Sequence, residues 1–308
     1  MAPYIEETRV VQYPKGKNIW LKLESEQVTG SFKARGGGNK MLSLTLAERA
    51  KGVVAASTGN HGCGVSNMAK QLGVPVQVYV PRGSAEAKKE KMRDLGAEIV
   101  VHGDGHENEV HARERAKVEG KVFISPYNDA DVITGQGTIG VELLKQLPQV
   151  EVVYVAVGGG GMIGGIGLYL KAANPNIEVV ACNPEADPCM HLSLEAGEIV
   201  ENEHKETLSE GTAGGIEEGA ITFDICKKVV GHSLLVSEED IAKAMREAHE
   251  ELGIRIEGSA GVALAACIND SERRGDKTAA VIICGGNIAE DKFNSIIENA
   301  GTFERQGE

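Results

Sequence analysis

Lys33 stands in the run Gly30-Ser31-Phe32-Lys33-Ala34-Arg35-Gly36, shortly after the apolar-alternating stretch Ile19-Trp20-Leu21-Lys22-Leu23. A lysine between an aromatic residue and small residues near a strand end can lose solvent. Desolvation lowers the pKa of its amine and makes it a nucleophile able to form a Schiff base. Most lysines are solvated surface charges, so the amine gains meaning only from what accompanies it. Three further small-residue turns do so: Ser57-Thr58-Gly59-Asn60-His61-Gly62 after Val53 to Ala56, Gly158 to Gly161 after Val152 to Val157, and Cys284-Gly285-Gly286-Asn287 after Ala279 to Ile283.

Each turn has a chemical and a structural reading. In Gly158 to Gly161, glycines let the backbone approach a phosphate, and amide N–H groups with the next helix's N-terminus hold the charge. Gly159, Gly161 and Gly164 also satisfy G-x-G-x-x-G, the pattern of a nicotinamide or flavin site. Such a site calls for an acid at the end of the next strand, where Asn183 stands. The hydroxyls, amide and helix-start N–H groups of Ser57 to Gly62 suit a carboxylate, and equally an ordinary capping turn. Cys284 ends a very apolar strand and reads on its own as a buried, inert thiol. His102, Asp104, His106 and His111 lie around Gly103 and Gly105 in what reads as a surface turn, a poor frame for a metal.

The elements that must position these groups follow a strand–helix alternation. From Val53 the pattern runs strand, helix (Cys63 to Leu72, stopped by Gly73), strand (Val76 to Val80), charged helix (Ala85 to Leu95), strand (Ile99 to Val101), helix (Glu107 to Glu119) and strand (Val122 to Ile124). It restarts after Pro126 with a helix at about 137–146, the strand Val152 to Val157, a helix from about Ile163 to Ala173 and the strand Ile177 to Cys182. Ser237-Glu238-Glu239-Asp240 resembles a capping box ahead of an amphipathic helix, and Ser259 to Cys267 reads as a buried helix. Such repetition predicts an α/β protein with parallel sheets, whose ligands lie beyond the carboxyl ends of the strands. Residues 52–128 read as a block inserted into a larger domain built from both chain ends.

Composition narrows the partners. The 308 residues are 42% hydrophobic with a net charge of −13, which disfavours nucleic acid and anionic membranes. Six cysteines without C-x-x-C spacing argue against a disulfide framework and for a reducing, cytoplasmic setting. The amino-terminal residues do not read as a signal peptide, and no apolar run approaches spanning length.

Together, Ser31 to Gly36, Ser57 to Gly62, Gly158 to Gly161, Glu257-Gly258-Ser259-Ala260-Gly261 and Cys284 to Asn287 resemble the pyridoxal-phosphate enzymes of fold type II. This is the tryptophan synthase beta-like fold of two open, twisted, mainly parallel sheets flanked by helices. Within that group the chain resembles the serine/threonine dehydratases (ammonia-lyases) and serine racemase. The resemblance implies that Lys33 forms the Schiff base with pyridoxal 5'-phosphate and shuttles the Cα proton. It also implies that Phe32 lies close to the cofactor and Asn60 bonds the ring's 3-hydroxyl oxygen. Gly158, Gly159, Gly160, Gly161 and Met162 would hold the phosphate, and Cys284 would face the pyridine nitrogen. Ser57, Thr58, Asn60 and His61 would bind the substrate carboxylate. Asn128 and the turn Thr212-Ala213-Gly214-Gly215 are candidates for contacts at the substrate's β-carbon.

The resemblance further implies a large cofactor domain (1–51 and 129–308), a small mobile domain (52–128) closing over the substrate, and a homodimer. The implied reaction converts L-serine, L-threonine or a related 3-hydroxy amino acid to a 2-oxo acid and ammonia. The alternatives are a serine or aspartate racemase on the same cofactor site and a non-catalytic cofactor- or dinucleotide-binding protein. Thr58 stands where racemases of this kind carry a serine as second-face base; its bulkier, stiffer side chain disfavours racemisation. A divalent cation is an open question, because Asn183 replaces the family's glutamate while Glu185 and Asp187 stay nearby. With the sequence ending soon after the Cys284 turn, the regulatory domain of biosynthetic threonine deaminases, and feedback control by isoleucine with it, is not expected.

Overall fold

The computed structural model describes residues 3–300. Ten strands lie among them: β1 (Val10–Gln12), β2 (Ile19–Leu23), β3 (Val53–Ala56), β4 (Val76–Val80), β5 (Glu98–Val101), β6 (Val122–Phe123), β7 (Val152–Ala156), β8 (Glu178–Pro184), β9 (His232–Val236) and β10 (Ala279–Ile283). They form a four-stranded sheet in the order β5-β4-β3-β6 and a six-stranded sheet in the order β1-β2-β10-β7-β8-β9. Every pairing is parallel except β1 with β2. The expected α/β architecture with two parallel-rich sheets is therefore what the chain adopts.

Two compact units divide the chain. One takes the described residues up to Glu6 with Gln27–Gln136; the other takes Glu7–Glu26 with the chain from Gly137 onward. The first holds all of 52–128 and adds 27–51 and 129–136 to it.

In the first unit, strand alternation feeds two cores. Val53, Ala55, Val76, Val78 and Val80 bury on one face with Val65 and Met68, while Val54 and Tyr79 bury on the other with Ala112 and Ala116. A parallel sheet covered on both faces produces this short, apolar, Val-rich strand pattern. Helix Asn60–Leu72 ends at the left-handed Gly73, and helix Gly105–Glu119 at the left-handed Gly120.

The lysine segment departs from its expected reading as a strand-end turn. Lys33 opens a helix, Lys33–Ser43, which contains Gly36, Gly37 and Gly38 in succession. Each glycine costs a helix interior up to about 1 kcal/mol relative to alanine, so local propensity argues against this helix. Close packing reverses the balance. A Cβ at Gly36 would fall on the Gln136 amide and the Val132 side chain, and one at Gly38 would lie 3.0 Å from Met68 Cε.

In the second unit, β7 and β10 are buried along their whole length, and so is helix Gly258–Asn269 through Cys267. Ser237 accepts the Asp240 N–H at 3.1 Å and caps helix Glu238–Leu252, whose Ile241, Ala244, Met245 and Ala248 are buried as its periodicity requires. Helix Ala130–Gln146 begins well ahead of the expected 137, because Asp129 Oδ1 accepts the N–H groups of Asp131 (2.8 Å) and Val132 (3.1 Å). No helix among the described residues is long and apolar enough to cross a membrane.

Candidate active site

Lys33 is the first residue of its helix, and its Nζ donates to the carbonyl of Pro126 at 2.9 Å. The same nitrogen lies 5.1 Å from the centre of the Phe32 ring. The amine is half-buried, held by a carbonyl and flanked by an aromatic face. That setting withholds water from a nucleophile and fixes where its lone pair can be presented.

Packing brings the asparagine turn to the same place. A Cβ at Gly64 would stand 2.9 Å from Lys33 C and Ala34 N, so only glycine lets helix Asn60–Leu72 run this close to the lysine backbone. The turn Ser57–Gly59 leaves the carboxyl end of β3, with Ser57 Oγ accepting the Gly59 N–H at 3.1 Å. Cys63 N–H bonds Gly59 O at 3.2 Å, and the N–H groups ahead of it belong to the open end of the helix. A helix end of this kind attracts a carboxylate.

His61 behaves differently from a side-chain carboxylate ligand. It is buried, and its ring donates through Nε2 to the carbonyl of Ile124 at 2.9 Å. Burial first, and then the charge of Lys33, push its pKa down to about 3. The imidazole is thus neutral near neutral pH and ties the end of β6 to the asparagine turn. Asn128 lies two residues beyond Pro126, in a turn where buried Ser125 Oγ accepts the Asn128 N–H at 3.0 Å. Phe32, Lys33, Ser57, Thr58, Asn60, His61 and Asn128 all belong to the first unit, on or beside the carboxyl ends of β3 and β6.

The remaining candidates belong to the second unit. β7 and β10 are parallel neighbours, paired from Ala279 with Val152 to Val281 with Tyr154, and both run on toward the same end of the sheet. Cys284 and the glycine turn therefore leave one edge of the sheet together. Gly160 is left-handed (φ +85°) and caps helix Gly161–Ala173, whose first described turn bond runs from Gly164 N–H to Gly160 O at 2.9 Å. The N–H groups of Gly161, Met162 and Ile163 precede that bond and are oriented out of the helix end. A Cβ at Gly158 would lie 2.9 Å from the Thr212 backbone. Only glycine lets this turn pack so closely on the Thr212 backbone, and the open N–H groups that follow it are of the kind that attract an anion. Cys284 is buried, with Sγ 4.0 Å from Glu257 Oε1.

A role for Glu257 beside this thiol is not legible in the sequence, where it reads as a helix-capping acid. Its carboxylate occupies the space that a Cβ at Gly285 would need. The Thr212 turn is also better defined than its composition suggests. Thr212 Oγ1 and Ser209 Oγ are 2.5 Å apart, and the latter donates to Ser259 Oγ at 3.2 Å.

At the end of β8, Asn183 Oδ1 accepts the His191 N–H at 3.0 Å. Asp187 is buried and accepts from Asn202 (2.9 Å), His204 (2.9 Å) and Gly214 N–H (2.8 Å). Burial alone would raise its pKa, yet these donors outweigh burial and hold it below the usual value. Glu185 is exposed. Among the described residues, no group of three or more His, Cys, Asp or Glu is arranged to hold a metal ion.

The described residues thus hold two parallel-rich α/β sheets, a half-buried lysine at a helix start in the first unit and a glycine turn at a strand end in the second. The chain belongs to the PALP family of pyridoxal-phosphate dependent enzymes, whose sequence pattern matches residues 1–285. It is 41% identical over 283 residues to the L-threonine ammonia-lyase of Thermotoga maritima, covering 92% of this chain and 70% of that protein. The processed form of threonine deaminase isoform 2 from Solanum lycopersicum superposes with a TM-score of 0.92 at 31% identity, covering 97% of this chain and 90% of that one. Maize serine racemase superposes with a TM-score of 0.90 at 29% identity, covering 98% of this chain and 94% of that one.

The residues present fit the cofactor. A half-buried lysine amine can take an aldehyde, a glycine turn ahead of a helix start can take a phosphate, and the end of β8 offers an amide where a dinucleotide's ribose calls for a carboxylate.

Proposed function

We propose that this protein is a pyridoxal-phosphate dependent ammonia-lyase for L-serine, L-threonine or a related 3-hydroxy amino acid. The observation that carries the proposal is the Lys33 amine, half-buried and fixed on Pro126 O at 2.9 Å, beside the open helix end at Asn60.

Lys33 would hold the cofactor's aldehyde carbon, Gly158 to Met162 its phosphate, Asn60 its ring hydroxyl, and Cys284 would lie at its ring nitrogen. Bound pyridoxal phosphate supplies an electron sink that acidifies the substrate's Cα–H bond. Ser57, Thr58 and the N–H groups at the start of the Asn60 helix would hold the substrate carboxylate. His61, neutral and bonded to Ile124, would position that turn rather than bear charge toward the ligand. Lys33 Nζ, released once the substrate's own amine has displaced it from the aldehyde carbon, would then take the Cα proton. The β-hydroxyl leaves with a proton as water, and water later adds at Cα as ammonia departs, so the net change is loss of ammonia to give the 2-oxo acid. The Phe32 ring and the half-buried setting of Lys33 would limit bulk water at the amine before elimination.

Racemisation is the second reading, and the likeness to maize serine racemase favours keeping it. Thr58 supplies a hydroxyl on the second face, but the threonine methyl restricts its rotation. Chiral analysis of recovered substrate separates the two outcomes: dehydration without a D-isomer excludes racemisation.

The decisive experiment on function is Lys33→Ala. Loss of both the Schiff-base absorbance and ammonia release supports the proposal, while retained turnover ends it. Keto-acid formation from serine, threonine, 3-hydroxyaspartate and phenylserine then ranks the substrates. A cytoplasmic homodimer completes the proposal. Val141, Leu168, Tyr169 and Ile221 are large hydrophobic residues left exposed on the second unit, which suits a second copy of the chain. Light scattering that finds a monomer would refute that part.

A further inference from the structure

A cleft of about 450 Å³ opens in the second unit, at the sheet edge opposite Cys284 and the glycine turn. Its lining includes Ile19, the first residue of β2, and Asp276, three residues ahead of β10. Lys15, Lys17 and Arg274 bring positive charge to it, and Glu247 and Asp276 negative charge.

The carboxylates there already have donors. Tyr13 O–H donates to Glu247 Oε2 at 2.6 Å, and Asp276 Oδ1 lies 3.5 Å from Lys17 Nζ. Burial, together with that bond to Glu247, holds the Tyr13 proton far above its ordinary range, so the contact persists at any physiological pH.

Arg274 is the exception. It is only 7% exposed and, unlike its neighbour Arg273, which pairs with Glu178 and Asp270, it makes no ion pair among the described residues. One guanidinium nitrogen donates to the carbonyls of Gly275 (3.1 Å) and Lys277 (3.5 Å), while Nε is buried with no acceptor. Neutral carbonyls satisfy hydrogen bonds but do not balance a buried charge, which ordinarily requires a paired anion. A smaller adjoining cleft of about 250 Å³ shares Lys15 and Glu247 and adds Lys243, Arg246 and Glu250, with Lys243 paired to Glu239 at 2.6 Å. Lys15 and Lys17 are paired with Glu251 (3.2 Å) and Asp276 (3.5 Å), which leaves Arg274 as the cation of the larger cleft that has no carboxylate partner among the described residues.

We propose that this cleft is a binding site for an oxyanion, a phosphate or carboxylate group, with Arg274 as its fixed charge and Lys15 and Lys17 as flexible donors closing on it. A guanidinium's planar fork matches either group, and lysines add charge without fixing geometry. The site shares no residue with the proposed elimination chemistry. An occupant would link the 13–17 turn to the 271–276 segment and stabilise the fold in proportion to the logarithm of its concentration over Kd.

The test uses dialysed holoenzyme, in which the cofactor's own phosphate already fills the glycine turn. Titration calorimetry and thermal melting are run with inorganic phosphate and, separately, with succinate, each against sodium chloride of equal ionic strength. Saturable one-site binding of phosphate or succinate, beyond the chloride control, is expected, and the comparison tells which group the cleft prefers. Lys15→Ala/Lys17→Ala should weaken that binding roughly 10-fold with turnover of the amino acid unchanged, and Arg274→Gln should abolish it. Because Arg274→Gln removes a buried side chain, the exposed double lysine variant decides the matter if that protein fails to fold. Absence of saturable binding by both anions, or binding that the double lysine variant leaves intact, overturns the proposal.

Discussion

Gly160 and Gly197 offer a matched pair for testing the anion cradle. Their backbones are nearly identical, φ +85°, ψ −4° at Gly160 and φ +78°, ψ 2° at Gly197, both in the left-handed region at a helix terminus. Alanine costs about 1–2 kcal/mol in that conformation at either position. The surroundings differ. A Cβ at Gly197 meets nothing within 4 Å, whereas one at Gly160 lies 2.9 Å from both Cys226 Sγ and Met190 Cε and 3.2 Å from Thr222 Cβ. Overpacking adds roughly 1–3 kcal/mol at Gly160 alone. At about 2–4 °C per kcal/mol for a unit of this size, Gly160→Ala should melt some 2–12 °C below Gly197→Ala in the cofactor-free protein. It should also tilt the N–H groups of Gly161 and Met162, so pyridoxal phosphate, titrated by absorbance, should bind at least 10-fold more weakly than to Gly197→Ala. Equal melting temperatures and equal cofactor affinities in the two variants would refute the view that close packing shapes this turn.

Acid stability reports on His61. The folded protein keeps it neutral down to about pH 3, while the unfolded chain protonates it near 6.5. Between those values the unfolded state binds more protons, so stability falls as pH drops through that window, by up to about 1.4 kcal/mol per pH unit. Denaturant unfolding of His61→Gln should show a shallower slope below pH 6.5; parallel slopes would contradict the assignment. All six cysteines are free and buried, and burial pushes the thiols of Cys226 and Cys267 up to about 12. A thiol reagent should therefore label the native protein slowly and six sites after denaturation, with faster native labelling counting against this packing. Gly36→Ala should lower the melting temperature despite alanine's better helix propensity, because the added methyl meets Gln136 and Val132. A gain in stability would show that propensity outweighs contact there.

The strand–helix alternation is legible because buried parallel strands and glycine-stopped helices leave local marks. Val53 to Ala56 and Ala279 to Ile283 are strands as their apolar runs require, and Gly73 and Gly120 end their helices left-handed. Helix Lys33–Ser43 is not legible, since three consecutive glycines suppress the helical signal and only tertiary packing restores it. The start of helix Ala130–Gln146 is hidden for a related reason: Asp129 is an ordinary turn residue until its carboxylate accepts two helix-start N–H groups. The four small-residue turns can be picked out because each follows an apolar run, while the roles proposed for their residues come from the family resemblance. What spacing does not carry is partnership: that Lys33 rests on Pro126 O, that His61 spends its proton on Ile124, and that the Glu257 carboxylate covers Gly285. These depend on chain segments distant in sequence.

Borohydride reduction of the holoenzyme, followed by proteolysis and peptide mass spectrometry, reads out the covalent bond on which the proposed chemistry rests. A single phosphopyridoxyl-modified lysine is expected, in the peptide containing Phe32-Lys33-Ala34. Modification at any other lysine, or reduction that leaves position 33 unlabelled, would remove Lys33 from the reaction.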